Sequence, residues 1–221
     1  MATTSLNILN ILSKTHLSVG DIYNYLNNYA ECNDSYFEFN LVSKNEISGK
    51  YVYVQNIEQQ LYKIETRSYE NQIIPRAVTI PFEIVNNKIL VWANKSNVNR
   101  LIFVLTEIIK EITLSQVTIS INSILSKVNK SNTKITKVCF CDIALVDDLI
   151  GKFSTDLYSY GDSYGILKKY QDQIERISFQ YYIDDTYMTL TLNSNGSIKL
   201  YKSYDNIDDE QLEFLKKLFL E

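Results

Sequence analysis

Residues 177–200 read ISFQYYIDDTYMTLTLNSNGSIKL, and this stretch decides the fold class. Apolar and polar residues alternate on each side of Asp184-Asp185, which predicts two half-buried strands joined by a turn. Asn195-Gly196 is the strongest hairpin signal in the chain, because both residues tolerate the positive φ of a tight turn. A third strand with Ile198 and Leu200 should follow, and then an amphipathic helix that begins at Asp208.

The same order occurs once before, between residues 78 and 112. Val78, Ile80, Phe82 and Ile84 alternate, Asn86-Asn87 supplies a turn, and residues 88–92 give a second strand. Pro81 predicts an edge position or a bulge in the first strand. Apolar residues at helical spacing then predict a helix from about Ser96. We therefore expect an α+β fold, mainly antiparallel sheet in hairpins and meanders, with helices packed on one face.

The N-terminus predicts a helical hairpin. Leu6, Ile8, Leu9, Ile11 and Leu12 recur at helical spacing. Ser18 and Asp21 resemble a capping box that opens a second helix from about Val19 to Glu31.

Short strands of a meander are then predicted at residues 36–41, 51–54 and 61–64, followed by a polar stretch at 69–72. This pattern suggests a domain at 1–70, holding the helical hairpin and a small meander, and an α+β domain at 71–221 with the two hairpin-then-helix units. A single domain is the alternative.

The centre of the chain is less regular. Residues 115–130 predict a strand that runs into a helix, and residues 135–143 predict a buried strand. Residues 151–165 are rich in Gly, Ser, Asp and Tyr, which indicates a mobile loop.

Composition limits the class of protein. The chain has 221 residues, a net charge of −4, 17 Tyr, one His and three Cys. It contains no run of eighteen apolar residues and its N-terminus has no signal-peptide pattern, so we expect a cytoplasmic protein without a membrane segment. Frequent Ile, Asn, Lys and Tyr suggest an AT-rich genome, as in a bacterium or phage.

Most enzyme classes are disfavoured. His16 is the only imidazole, no nucleophile motif is present, and the glycine-rich loops that hold nucleotide phosphates are missing. We expect no cofactor and no nucleotide. A zinc site is a weak candidate because its C-x-C spacing is unusual, and buried packing of the cysteines is the preferred alternative. Its ligands would be His16, Cys32, Cys139 and Cys141.

A magnesium-dependent phosphodiesterase or nuclease is a second weak candidate. Asp142, Asp147 and Asp148 could supply the carboxylate oxygens that Mg²⁺ prefers. No acid-x-Lys triplet supports a nuclease, and a helix cap over Leu149 and Ile150 is the preferred interpretation of Asp147 and Asp148.

Nucleic-acid binding is the main alternative function. A stretch without acidic residues between Glu111 and Asp142 contains several lysines, and tyrosines with further lysines follow it. Aromatic and basic residues together suit base stacking and phosphate contact. The candidates are Lys127, Lys130, Lys134, Lys137, Tyr158, Tyr160, Tyr164, Lys168 and Lys169.

Tyrosines also suit protein interfaces. The candidates are Tyr23, Tyr51, Tyr53, Tyr181 and Tyr182. Because catalytic motifs are missing, the sequence favours a non-enzymatic interaction subunit of a bacterial or phage assembly, bound to a protein partner or to itself.

Overall fold

The computed structural model describes residues 3–15, 17–29, 34–128, 130–146, 149–183, 186–194 and 196–220. In chain order the elements are β1 (Thr4–Ser13), α1 (Val19–Asn27), β2 (Ser35–Val42), β3 (Glu46–Lys63), β4 (Ser68–Val85), β5 (Lys88–Trp92), α2 (Lys95–Ile108), β6 (Ile112–Gln116), α3 (Ile121–Lys127), β7 (Thr133–Val146), β8 (Leu149–Asp156), α4 (Ser163–Lys169), β9 (Ile174–Ile183), β10 (Thr186–Asn193), β11 (Ile198–Leu200) and α5 (Asp209–Leu220).

The chain divides into two compact units. The smaller unit comprises Ile11–Val91 and Ser96–Leu114, and the larger unit comprises Met1–Asn10, Trp92–Lys95 and Ser115–Glu221. Each unit is built on antiparallel strands with helices, so the α+β class fits. Glu70, where the sequence suggests a boundary, lies within β4. The division at residue 70 stays a prediction.

The smaller unit pairs its strands in the order β2-β3-β4-β5. One face of this sheet is apolar because alternate residues of β3 and β4 point to the same side, and Ile47, Tyr51 and Phe82 are at most 1% exposed there. Helices α1 and α2 cover this face: Tyr23 of α1 meets the Phe39 ring edge-on, and Arg100 of α2 lies over the Tyr53 ring.

The larger unit pairs its strands in the order β1-β11-β10-β9-β7-β8. Ile177 and Phe179 of β9 and Leu190 of β10 are fully buried on one face. That face is covered by helices, because Phe214 of α5 stacks on Tyr181, and Tyr170, which caps α4, contacts Phe140. The opposite face carries the polar residues of the same strands.

The N-terminal helical hairpin is a wrong prediction. Residues 4–13 form β1, not a helix, and only the second helix exists. The four residues Leu6, Asn7, Ile8 and Leu9 are all buried in β1. A strand buried on both faces has no alternation of apolar and polar residues, so its sequence resembles a buried helix.

The capping box is confirmed. The Ser18 side chain accepts a hydrogen bond from the Asp21 backbone N–H, and the Asp21 carboxylate accepts from the Ser18 N–H. The helix ends at Asn27, however, rather than at Glu31.

Three further expectations need correction. The two short strands predicted at 51–54 and 61–64 belong to one strand, β3, which ends at Lys63, and the polar stretch at 69–72 belongs to β4. The expected loop at 151–165 holds most of β8 and the start of α4. Leu149 and Ile150 begin a strand, so Asp147-Asp148 does not precede a helix there.

Candidate functional sites: an exposed hairpin arm and a basic groove

The β3–β4 hairpin continues beyond its sheet as a two-stranded arm, residues 55–77. Strand β2 pairs with β3 only as far as Tyr53, and β5 pairs with β4 only from Phe82. The β3–β4 pairing nevertheless continues to Lys63 and Ser68. At about 3.4 Å per residue, the arm is about 30 Å long.

Large apolar side chains of the arm are exposed. Tyr62 and Tyr69 are cross-strand partners with ring centroids 5.2 Å apart, but each ring remains open to solvent. A two-stranded hairpin is at best marginally stable alone in water, so exposed apolar residues on it indicate a contact surface. The exposed fractions are Leu61 37%, Tyr62 52%, Ile64 81%, Tyr69 70% and Ile73 70%.

The charges of the arm balance. The arm contains three acidic residues, Glu58, Glu65 and Glu70. It also contains three basic residues, Lys63, Arg67 and Arg76. Lys63 and Glu70 form an ion pair, with both side chains about half exposed. An arm without net charge suits a protein surface better than a phosphate backbone, because phosphate contact needs excess positive charge.

The polar face of the larger unit contains a basic groove of about 510 Å³. Strand register places its residues in two neighbouring rows. One row runs Ser154, Cys139, Arg176, Asn193, and the other runs Lys137, Ser178, Thr191, Lys199. Val138 and Tyr201 complete the lining.

The groove lining is positively charged. Lys137, Arg176 and Lys199 line it, and among the residues that the structure describes no Asp or Glu is part of the lining. In the part of the chain that the structure describes, none of these three cations forms an ion pair with a carboxylate. Arg176 Nε instead donates to Asn193 Oδ1 over 2.8 Å. The lining therefore concentrates positive charge in a chain whose net charge is −4.

Hydroxyl groups form the floor of the groove. The oxygens Ser178 Oγ and Thr191 Oγ1 are 2.7 Å apart, and Thr191 Oγ1 lies 3.5 Å from the Tyr201 hydroxyl. Thr191 is 4% exposed, so this row is built into the sheet rather than placed on a loop. Hydroxyls both donate and accept, which suits contact with anionic oxygens.

An ion pair borders the groove at its β8 side. Lys152 Nζ donates to the Glu175 carboxylate. This hydrogen bond holds the pKa of Glu175 below its usual range and raises the pKa of Lys152. The thiol of Cys139 lies 3.6 Å from the same carboxylate. Glu175 therefore pairs with Lys152, and its charge also interacts with Arg176 of the groove lining.

The structure brings together three of the predicted nucleic-acid residues. Lys137 lines the groove, and Lys134 pairs in register with Gln180 on the same face. The Lys134 ammonium lies 3.5 Å from the centroid of the Tyr158 ring, which is 48% exposed.

The other predicted nucleic-acid residues lie elsewhere. Lys168 and Lys169 are exposed on α4, which packs on the helix-covered face. Lys127 ends α3, and Tyr160 is exposed in the loop before α4. Burial raises the pKa of the Tyr164 hydroxyl. Lys130 starts a short 3-10 turn before β7.

The metal candidates do not assemble within the described residues. His16, Cys32, Asp147 and Asp148 lie outside them. Among the residues described, no group of three or more His, Cys, Asp and Glu side chains could hold a metal ion. Asp142 sits at a bulge of β7 with φ of 54°, beside Cys141, whose thiol pKa is raised by burial and by Asp142.

The tyrosine candidates separate by exposure. Tyr51 is 1% and Tyr53 is 5% exposed, and the Tyr53 hydroxyl donates to Asn97 Oδ1 over 3.0 Å. Both residues pack within the smaller unit. Tyr181 stacks on Phe214, with the two ring centroids 3.7 Å apart. Tyr23 is half-buried against Phe39.

Tyr182 alone of these candidates lies on the groove face. It is 38% exposed, and its ring lies beside Tyr187 of the neighbouring strand.

Sequence reasoning missed the arm and half of the groove. Arg176 and Lys199 are isolated basic residues in the sequence, and only the register of β9, β10 and β11 places them beside Lys137. The alternation of residues 176–180 was the available signal, because buried Ile177 and Phe179 require Arg176 and Ser178 on the opposite face.

The fold and these two surfaces define an α+β protein with antiparallel sheets, an exposed hairpin arm and a basic groove. No family model and no curated protein matches the chain. Among the described helices, none combines the length and the apolar character that a membrane crossing requires.

Proposed function

We propose that the chain is a non-enzymatic interaction subunit of a bacterial or phage protein assembly, and that it associates with a second copy through the arm. The observation that carries this proposal is the exposure of large apolar side chains along a hairpin that leaves its sheet. Ile64, Tyr69 and Ile73 are each at least 70% exposed. Burying such side chains in a partner contributes about 1.5–3 kcal/mol for each fully buried residue.

The charge pattern supports a second copy as the partner. An arm with three acids and three bases is complementary to itself when two arms lie antiparallel. The tip of each arm then lies beside the base of the other, so Glu58 of one arm can approach Lys63 of the other, and Glu65 can approach Arg76. A strongly basic or acidic partner would gain little from an uncharged arm.

The size of the arm also fits this role. A standard protein interface uses roughly 20–30 residues from each partner, which matches residues 55–77. Pro75 has no N–H to donate, so the outer edge of β4 cannot pair continuously with an added strand. We therefore expect the side-chain faces of two arms to pack together.

An arm-shortened variant tests the proposal. Gln55 and Arg76 are cross-strand partners, so Asn-Gly in place of residues 56–75 closes the hairpin with a two-residue turn. We expect the wild-type chain to be dimeric or larger by light scattering at about 100 μM. The shortened chain should be monomeric and should keep a cooperative unfolding transition, which shows that the rest of the chain is folded.

Point variants supply the controls. Ile64→Thr with Ile73→Thr should weaken association about tenfold or more, because two exposed apolar contacts are lost. Gln59→Thr, a polar exchange on the same arm, should leave association unchanged. A monomeric wild-type chain, or a shortened chain that still dimerises, would contradict the proposal.

A further inference from the structure

We propose that the larger unit binds single-stranded nucleic acid across the basic groove, with its cations on the phosphates and its exposed tyrosines on the bases. This inference does not depend on the arm, because every lining residue belongs to the larger unit.

The spacing of the cations favours an extended anion. Lys137 and Lys199 lie in one row, separated by the steps β7 to β9, β9 to β10 and β10 to β11. At about 4.8 Å per step they are about 14 Å apart across the sheet. Arg176 lies one row away, about 7 Å along β9. Such separated charges can each meet a different phosphate, whereas a site for one phosphate needs them to converge.

Acidic neighbours offset only part of this charge. Asp156 is the register partner of Lys137 and adds one negative charge at that end of the row, where its carboxylate also accepts a hydrogen bond from the Tyr158 N–H over 2.8 Å. Glu175 is bound to Lys152. With Lys134 on the same face, the cations of the open sheet outnumber its acids.

Exposed aromatic rings lie on the same face as the cations. The Tyr201 ring, 38% exposed, lines the groove, with the Lys199 ammonium 5.4 Å from its centroid. Tyr182 and Tyr187 are register partners on the same side of β9 and β10, and their rings lie 5.9 Å apart. Tyr158 lies beneath Lys134.

This combination favours a single strand over a duplex. Base–aromatic stacking contributes about 1–3 kcal/mol per base, and only unstacked bases can reach a ring on a sheet surface. A duplex keeps its bases stacked and presents phosphates alone.

A pair of matched double variants tests the inference. Lys137→Glu with Lys199→Glu removes two groove cations, and Lys168→Glu with Lys169→Glu makes the same charge change on α4. Affinity for labelled oligo(dT) and oligo(rU) is measured by fluorescence anisotropy in 50 mM salt, with circular dichroism as the folding check. We expect the affinity of the groove variant to be about tenfold or more below that of the wild-type chain, and the affinity of the α4 variant to be within about twofold of it.

Salt dependence and stacking give independent signals. Each phosphate contact with a single strand contributes about −0.7 to the slope of log affinity against log salt, so the groove variant should have a slope shallower by about 1.4. Tyr201→Leu should lower affinity about fivefold without a change of that slope.

Four results would overturn the inference. They are undetectable binding by the wild-type chain in low salt, an equal loss in both double variants, equal affinity for a duplex of the same sequence, and displacement by inorganic phosphate as effective as by unlabelled oligonucleotide. The last result would indicate a site for a single anion.

Discussion

The two halves of the β3–β4 hairpin share one continuous register but have opposite environments. In the half that belongs to the sheet, Ile47, Phe82 and Ile84 are fully buried beneath helices. In the arm, Ile64 is 81% and Ile73 is 70% exposed. Backbone pairing alone therefore does not identify the residues that stabilise the fold. We expect apolar residues of the sheet half to stabilise the unit, and apolar residues of the arm to stabilise association.

The largest expected difference between the halves comes from apolar truncation. Phe82→Ala should lower the free energy of unfolding by about 3–5 kcal/mol, because it leaves a cavity beside Phe37, whose ring meets Phe82 edge-on at 5.9 Å. Ile73→Ala should change it by less than about 0.5 kcal/mol, since its side chain is mostly in water. Urea unfolding at a concentration too low for association measures both values. If Ile73→Ala lowered the free energy of unfolding by nearly as much as Phe82→Ala, the two halves would not differ in their contribution to stability.

A smaller difference is expected at glycine. In the sheet half, a Cβ on Gly49 would overlap the backbone carbonyl oxygen of Glu38 in the neighbouring strand. Backbone cannot move aside cheaply, so Gly49→Ala should cost about 1–3 kcal/mol in thermal or urea unfolding. Gly161→Ala is the matched control, because nothing lies within 4 Å of its Cβ position. An equal loss of stability in the two alanine variants would contradict the close approach of β2 to β3 at Gly49.

The smallest of these effects concerns the helix that covers the sheet half. Ser18→Ala removes the cap of α1 and should cost about 1 kcal/mol. Thr66→Ala, at the exposed tip of the arm, removes a hydrogen bond with Ser68 and should cost less than about 0.5 kcal/mol. Chemical denaturation of both variants gives the comparison, and an equal cost would show that the Ser18 cap contributes little to stability.

The sequence pattern predicted the secondary structure correctly where one face of an element is buried and the other is exposed to solvent. Residues 177–200 alternate for that reason, and their strands are found as predicted. The same reasoning failed at β1, because a strand buried on both faces loses its alternation. It also failed in the arm, where both faces are exposed and the polar residues at 69–72 resemble a loop.

The candidate sites were predictable only in part. Lys134 and Lys137 are three residues apart, and Tyr158 follows directly after the next strand, so the composition of this part of the chain could find them. Arg176 and Lys199 join them only through the pairing of β7, β9, β10 and β11. Register depends on long-range packing that composition does not encode.

Hydrogen exchange at two protein concentrations tests the central comparison most directly. Amides of the sheet half, residues 46–54 and 77–85, should stay protected at both concentrations because the fold of the unit itself protects them. Amides of residues 55–63 and 68–76 should exchange quickly in dilute protein and become protected at about 100 μM, since an isolated two-stranded hairpin is marginal until a second copy covers it. Arm amides that exchange at the same rate at both concentrations would contradict association through the arm.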